Sequence, residues 1–179
     1  MLTVYFDMDG VLTDYDGQLA LEASVTREHL VADRSFRRAL ENARKQRLGP
    51  EHYRNIPPND LVGFKSFIRG LSEAYSCEIL TSYGDPEPSE GGCSAHEGKI
   101  AWLNHHYGDL LQEKTILRFN GVSSCLQKGF FGRPDAFLID DQEGNISSFA
   151  AKGGGVFHYK MGSDFGEVLA AIQRHGDSL

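Results

Sequence analysis

Apolar and polar positions follow two regimes along this chain. Short apolar runs rich in β-formers occur at Leu2–Phe6, Cys77–Leu80, Thr115–Phe119, Ala136–Ile139 and Val156–Tyr159. Each is too short for a helix and predicts a buried strand. Between them, apolar residues recur at helical spacing. Leu61, Phe64, Phe67, Ile68 and Leu71 form one stripe, opened by the Pro57-Pro58 break with Asn59 or Asp60 as its cap. Ile100, Trp102, Leu103 and Tyr107 predict a helix over Lys99–Tyr107, preceded by a loop from Tyr83. Gln142–Ala151 predicts a short helix, and Phe165, Val168, Leu169 and Ile172 a closing one over Asp164–Arg174. The stretch from Gln18 to Leu48 reads as helical, with scattered apolar positions, until Gly49-Pro50 breaks it. Strands alternating with helices predict an α/β fold with a mainly parallel sheet covered on both faces.

Three of these strands end in polar groups. The first runs into Asp7-Met8-Asp9-Gly10, the second into Thr81-Ser82 and the fourth into Asp140-Asp141. In a parallel sheet these ends share one edge, where open α/β sheets bind ligands. Asp7 and Asp9, one residue apart, can lean into one crevice. By itself the D-x-D-G pattern fits a plain strand and turn equally well. Four carboxylates gathered there would repel one another, so the edge calls for a cation. Ligands that are all oxygen suit Mg²⁺ better than Zn²⁺ or copper. Hydroxyls and a lysine would supply donors and positive charge to an anionic substrate. Lys128, read as lying in a glycine-bearing loop, and Lys114 are the candidates for that lysine.

Composition narrows the partners. The chain has 179 residues, 40% hydrophobic and 24% charged, which suits one ordinary globular domain with room for a small insertion. A formal charge of −7 argues against an extended nucleic-acid surface. Neither a membrane span nor a secretory leader is visible, so the cytoplasm is the expected compartment. Cys77, Cys93 and Cys125 are odd in number and lack C-x-x-C spacing, which disfavours a zinc site or disulfide framework. Cys77 is expected in the core, and Cys93 falls in a Gly/Ser loop where a thiol can be exposed. His105 and His106 are adjacent, point apart on a helix, and are not expected to hold a metal. The basic run Arg34–Lys45 reads as a solvated helix face.

D-M-D-G-V-L-T-D, a strand ending in T-S, a lysine and L-I-D-D, in that order, resemble the four motifs of the haloacid-dehalogenase-like (HAD-like) phosphohydrolases. The resemblance implies a Rossmann-like three-layer sandwich with a parallel central sheet, in which 1–17 and 57–179 form the core. Residues 18–56 would be a small helical cap inserted after the first strand. It implies Asp7 as the nucleophile and Asp9 as the acid and base. Mg²⁺ would be bound by Asp7, the Asp9 carbonyl and Asp141, with Asp140 behind it or binding through water. Thr81 would bind the phosphoryl oxygens with Ser82 as helper, and Lys128 would offset charge. Within the superfamily the chain looks most like the 5′(3′)-deoxyribonucleotidases. They share the D-M-D-G-V-L-x-D opening followed by an aromatic, a Lys-x-x-Trp helix (here Lys99 to Trp102) and the I-D-D end. Tyr15 would then stack on the base of a nucleoside monophosphate, or else simply pack the turn. Phe36 and Tyr53 are further pocket candidates. A sugar-phosphate or other small-metabolite phosphatase, and an inactive binding protein on the same fold, stay open as alternatives.

Overall fold

Thr3–Phe6 (β1) is the middle strand of a parallel sheet and is buried on both faces. The computed structural model describes residues 1–83, 95–118 and 123–179. Ser76–Tyr83 (β2), Lys114–Arg118 (β3), Ala136–Asp140 (β4) and Gly155–His158 (β5) complete the sheet in the order β3-β2-β1-β4-β5, every pair parallel. Thr3 stands opposite both Ser76 and Ala136, so β1, β2 and β4 start in step, with Phe6 opposite Ile79 and Ile139, and β2 runs on to Tyr83. The α/β fold with a parallel central sheet is as the sequence predicts.

Tyr15–Ala23 (α1), Arg27–Ala32 (α2), Arg34–Leu48 (α3) and a 3-10 turn at Gly49–Tyr53 fill the stretch that follows β1. The single helical run expected from Gln18 is thus three helices, and the divisions have local causes. Ser24 adopts a left-handed conformation (φ 55°), and its N–H closes α1 on Ala20 and Leu21. Thr26 accepts from the His29 N–H at 3.2 Å and Asp33 from the Phe36 N–H at 2.9 Å. Each cap satisfies a free N–H of a new first turn. Nor is the basic run of α3 only a solvated face. Arg37 meets Asp16 at 2.8 Å, Lys45 meets Glu41 at 2.8 Å, and buried Arg44 pairs with Glu22.

Leu61–Leu71 (α4) is capped by Asp60, which accepts from the Gly63 N–H at 3.1 Å. Its stripe Phe64, Ile68 and Leu71 is buried against Val4, Phe6 and Ile79 in the larger core. Ala95–Tyr107 (α5) begins earlier than the expected Lys99 and adds Trp102 and Leu103 to that core. Ser124–Gly129 (α6) carries Lys128, which therefore sits on a helix and not in a loop. A helix of six residues is too short to show periodicity in the sequence. Glu143–Ala150 (α7) packs Phe149 into a smaller core on the opposite face, with Tyr5, Leu80, Ala136 and Leu138. Phe165–Gly176 (α8) returns Val168 and Ile172 to the larger core. Cys77 and Cys125 are half-buried free thiols. Cys93, Phe119 and the glycines of the loop after β2 lie outside the described residues. Among the described residues no helix is long and apolar enough to cross a membrane.

Candidate active site

The two faces of the sheet deliver two different lysines to its carboxyl edge. Alternation along β1 puts Tyr5 in the smaller core and Val4 and Phe6 in the larger one. Asp7 continues the Tyr5 side and Asp140 the Leu138 side, so both carboxylates emerge over the smaller core, where Phe149 and Phe131 pack. There the fully buried Lys128 reaches Asp7 Oδ1 at 3.0 Å and Asp140 Oδ2 at 2.6 Å. Thr81 continues the Ile79 side, over the larger core. On that side α5 supplies a second fully buried lysine, Lys99, whose Nζ donates to Thr81 Oγ1 at 2.9 Å and to Asp9 Oδ2 at 2.7 Å. Asp7 and Asp9 therefore each contact a different lysine.

Lys99 was visible in the sequence only as part of Lys-x-x-Trp. Its signal is nonetheless there: Lys99, Trp102 and Leu103 fall at i, i+3 and i+4, so a lysine occupies an apolar stripe. A charge on a buried face implies a buried partner.

The remaining bonds distinguish the carboxylates. Asp7 Oδ1 also accepts from the Met8 N–H at 2.8 Å. Asp140 accepts from Lys128, from the Gln142 N–H at 2.8 Å and from Asn145 Nδ2 at 2.9 and 3.0 Å, so both its oxygens are engaged. Asp141 takes one bond, from Gln142 Nε2 to Oδ2 at 2.9 Å, while its Oδ1 is buried with no partner among the described residues. Burial raises the Asp9 carboxyl, against the pull of Lys99 and with Asp7 adding to the rise. Burial of Lys128 opposes its charge, yet Asp7 and Asp140 outweigh it and push the ammonium up to about 12.

The turn after β1 is fastened from within. Gly10 has φ 81°, and a Cβ there would run into the Asp141 carboxylate, so only glycine lets the turn lie against that aspartate. Asn59, one of the two expected caps, has another task. Its Nδ2 donates to the carbonyls of Val11 at 2.8 Å and Thr13 at 3.1 Å, tying the turn to the segment before α4.

Other candidates lie elsewhere. Ser82 is half-buried on β2 and, by alternation, faces away from Thr81. Lys114 opens β3 at the opposite edge and donates to the Gln112 carbonyl at 3.2 Å. Tyr15 has no free ring face: it is 2% exposed, its hydroxyl shares a hydrogen bond with His52 Nε2 at 2.7 Å, and it packs beside Tyr53. Burial drives the His52 imidazole down to about 3, which keeps it neutral beside Tyr15. Phe36 is half-buried against His29. Tyr53 does reach the site, its hydroxyl donating to Asp9 Oδ2 at 3.2 Å.

Asp7, Asp140 and Asp141 each offer an oxygen within 4.8 Å of the others. With the orphaned Asp141 Oδ1 among them, this hard-oxygen set fits Mg²⁺. It also gives a test. Burial, with Asp7 and Asp140 adding repulsion, pushes Asp141 up to about 8. A carboxyl held above its unfolded value of about 3.9 contributes stability below that value and loses it as pH rises through its folded value. The metal-free protein should accordingly lose stability toward about pH 8, and Mg²⁺ should offset the loss. The expected result is a melting-temperature difference, Mg²⁺ against EDTA, that widens from about pH 5 to about pH 8. A difference that stays flat across this range would exclude Asp141 as the responsive ligand.

No family model matches this sequence, and no curated protein does. Solved structures match in fold. A haloacid dehalogenase-like family hydrolase from Xanthomonas campestris aligns at a TM-score of 0.59 and 10% identity, over 100% of this chain and 95% of its own. A HAD-like family hydrolase from Porphyromonas gingivalis aligns at 0.55 and 12%, over 97% and 98%. An aspartate-to-alanine mutant of the HAD family enzyme bt-2542 from Bacteroides thetaiotaomicron, in complex with magnesium and inorganic phosphate, aligns at 0.53 and 12%, over 94% and 98%. At such identities the likeness is one of fold: this chain has the Rossmann-type α/β fold of the HAD-like hydrolases.

Proposed function

We propose that this chain is a Mg²⁺-dependent phosphomonoesterase working through an aspartyl-phosphate on Asp7, with a (deoxy)nucleoside monophosphate as favoured substrate. The observation that carries the reading is the separate provision for Asp7 and Asp9. One carboxylate is fixed by Lys128 over the smaller core, the other by Lys99, itself bonded to Thr81, over the larger one. Two carboxylates doing different jobs need different surroundings.

Asp7 Oδ1 is held by the Met8 N–H and Lys128, so we assign the attack on phosphorus to Oδ2. As the ester P–O bond breaks, Asp9 gives its proton to the leaving oxygen. It then takes a proton from the water that hydrolyses the aspartyl-phosphate, which frees phosphate and restores Asp7. A carboxyl raised by burial suits that role. The Thr81 hydroxyl and the Lys99 ammonium, bonded to each other at 2.9 Å, would donate to phosphoryl oxygens. Asp7, Asp141 and the Asp9 carbonyl would hold Mg²⁺, with Asp140 behind them restraining Lys128. The ion would offset the charge between phosphate and nucleophile.

Residues 18–56 would act as the cap of a core formed by 1–17 and 57–179, and the Tyr53 contact with Asp9 supports this. The nucleotide preference rests on the D-M-D-G-V-L-T-D, T-S, Lys-x-x-Trp and I-D-D likeness; Tyr15 adds nothing to it, being walled in. We place the enzyme in the cytoplasm. The test is p-nitrophenyl phosphate turnover with and without Mg²⁺, then phosphate release across nucleoside monophosphates and sugar phosphates. Mg²⁺-dependent turnover with the best rates on nucleotides is expected. Inactivity toward every phosphate ester would sink the enzyme reading, and a strong sugar-phosphate signal beside weak nucleotides would overturn the substrate.

A further inference from the structure

The geometry points to Tyr53 as a positioning residue that aims the Oδ2 oxygen of Asp9 at the leaving group. This rests on the phosphomonoesterase reading above and adds a residue from the helical insertion to its proton transfer.

The two oxygens of Asp9 are not equivalent. Oδ1 is buried with no hydrogen-bond partner among the described residues. Oδ2 receives Lys99 Nζ at 2.7 Å and the Tyr53 hydroxyl at 3.2 Å. The same ammonium touches Thr81 Oγ1 at 2.9 Å, so with Thr81 as a phosphoryl donor, Oδ2 would lie on the phosphoryl side of the carboxylate. Oδ2 is therefore the oxygen that exchanges the proton. Its two donors differ in what a substrate does to them. Lys99 is shared with Thr81 and is drawn toward an arriving phosphoryl group. Tyr53 donates to no other group among the described residues. Its ring is 2% exposed, stands 4.9 Å from His52 and 5.8 Å from Tyr15 by ring centroids, and lies 5.3 Å from Lys99 Nζ. Locked in this way, the Tyr53 hydroxyl stays on Oδ2 and stabilises the charge that develops there as the proton leaves.

Such a role shows itself in the leaving group. A nitrophenolate departs without a proton, whereas an alkoxide needs one. Tyr53→Phe keeps the ring and deletes the donor. Its kcat/KM, which reports the steps through loss of the leaving group, should fall ~10-fold or more on an alkyl phosphate, as expected for one hydrogen bond to a charged group. On p-nitrophenyl phosphate it should change by less than ~3-fold. Tyr15→Phe deletes the neighbouring hydroxyl, which is bonded to His52, and should shift both substrates in parallel. Unchanged melting temperatures establish that the variants are folded; should Tyr53→Phe not fold, Tyr53→Met also fills the site without a donor and should show the same selective loss on the alkyl phosphate. Equal loss on both substrates, or no loss on either, would overturn the assignment while leaving the phosphatase reading intact. A wild type inactive on both would overturn both.

Discussion

Asp7→Asn is expected to fold normally and to lose turnover of p-nitrophenyl phosphate by about 10⁴-fold or more, the scale seen when a covalent nucleophile is removed. The amide has almost the size of the carboxylate, and its oxygen can still accept from the Met8 N–H and Lys128, the two donors now at Oδ1. The scaffold should therefore survive. An amide oxygen is a poor nucleophile, and no aspartyl-phosphate can form. Quenching the wild type during turnover should trap acid-stable, base-labile phosphate on the protein, and Asp7→Asn should trap none. Substantial activity in the mutant would place the nucleophile elsewhere and undo the mechanism.

Lys128→Met should cost about 3–5 kcal/mol of stability, because it leaves buried Asp140 and Asp7 beside each other without their shared cation. Methionine fills much the same space, so the loss would measure charge and not a cavity. Urea unfolding at pH 7 with EDTA checks it, and Mg²⁺ should recover part of the loss. The wild type carries a matching alkaline signature. The Lys128 ammonium is pushed up to about 12, above an unfolded value of about 10.4. Its contribution is therefore complete below the lower value and disappears as pH rises through the higher one. Lys128→Met should lack that alkaline loss. A mutant as stable as the wild type at pH 7 would show that the pair of aspartates needs no cation there.

Much of the site was legible because the signals are local. An apolar run followed at once by carboxylates or hydroxyls names a strand and its chemical end together. Asp7, Thr81, Asp140 and Asp141 could be found in this way. Lys128 was located without its helix, since α6 is too short to declare a period. Lys99 stood on an apolar stripe, a local contradiction that does reveal a buried charge. Tyr15, by contrast, follows the first motif as a base-stacking residue would. Only its burial beside His52 and Tyr53 of the insertion shows the ring to be enclosed.

By itself, then, the sequence determined that β1 is a buried apolar strand, that three strands end in groups able to face an anion, and that helices intervene. These follow from periodicity and composition over a few residues. Tertiary structure alone decided which lysine serves which aspartate. Alternation along the strands sends Asp7 toward α6 and Thr81 toward α5, but a helix's position over a sheet face is settled by packing. It also decided that Tyr53 reaches Asp9 and that Asp140 engages both oxygens, with Lys128, Asn145 and the Gln142 N–H, while Asp141 keeps one without a partner among the described residues. Such contacts join residues far apart in the chain, and no local pattern encodes their distances.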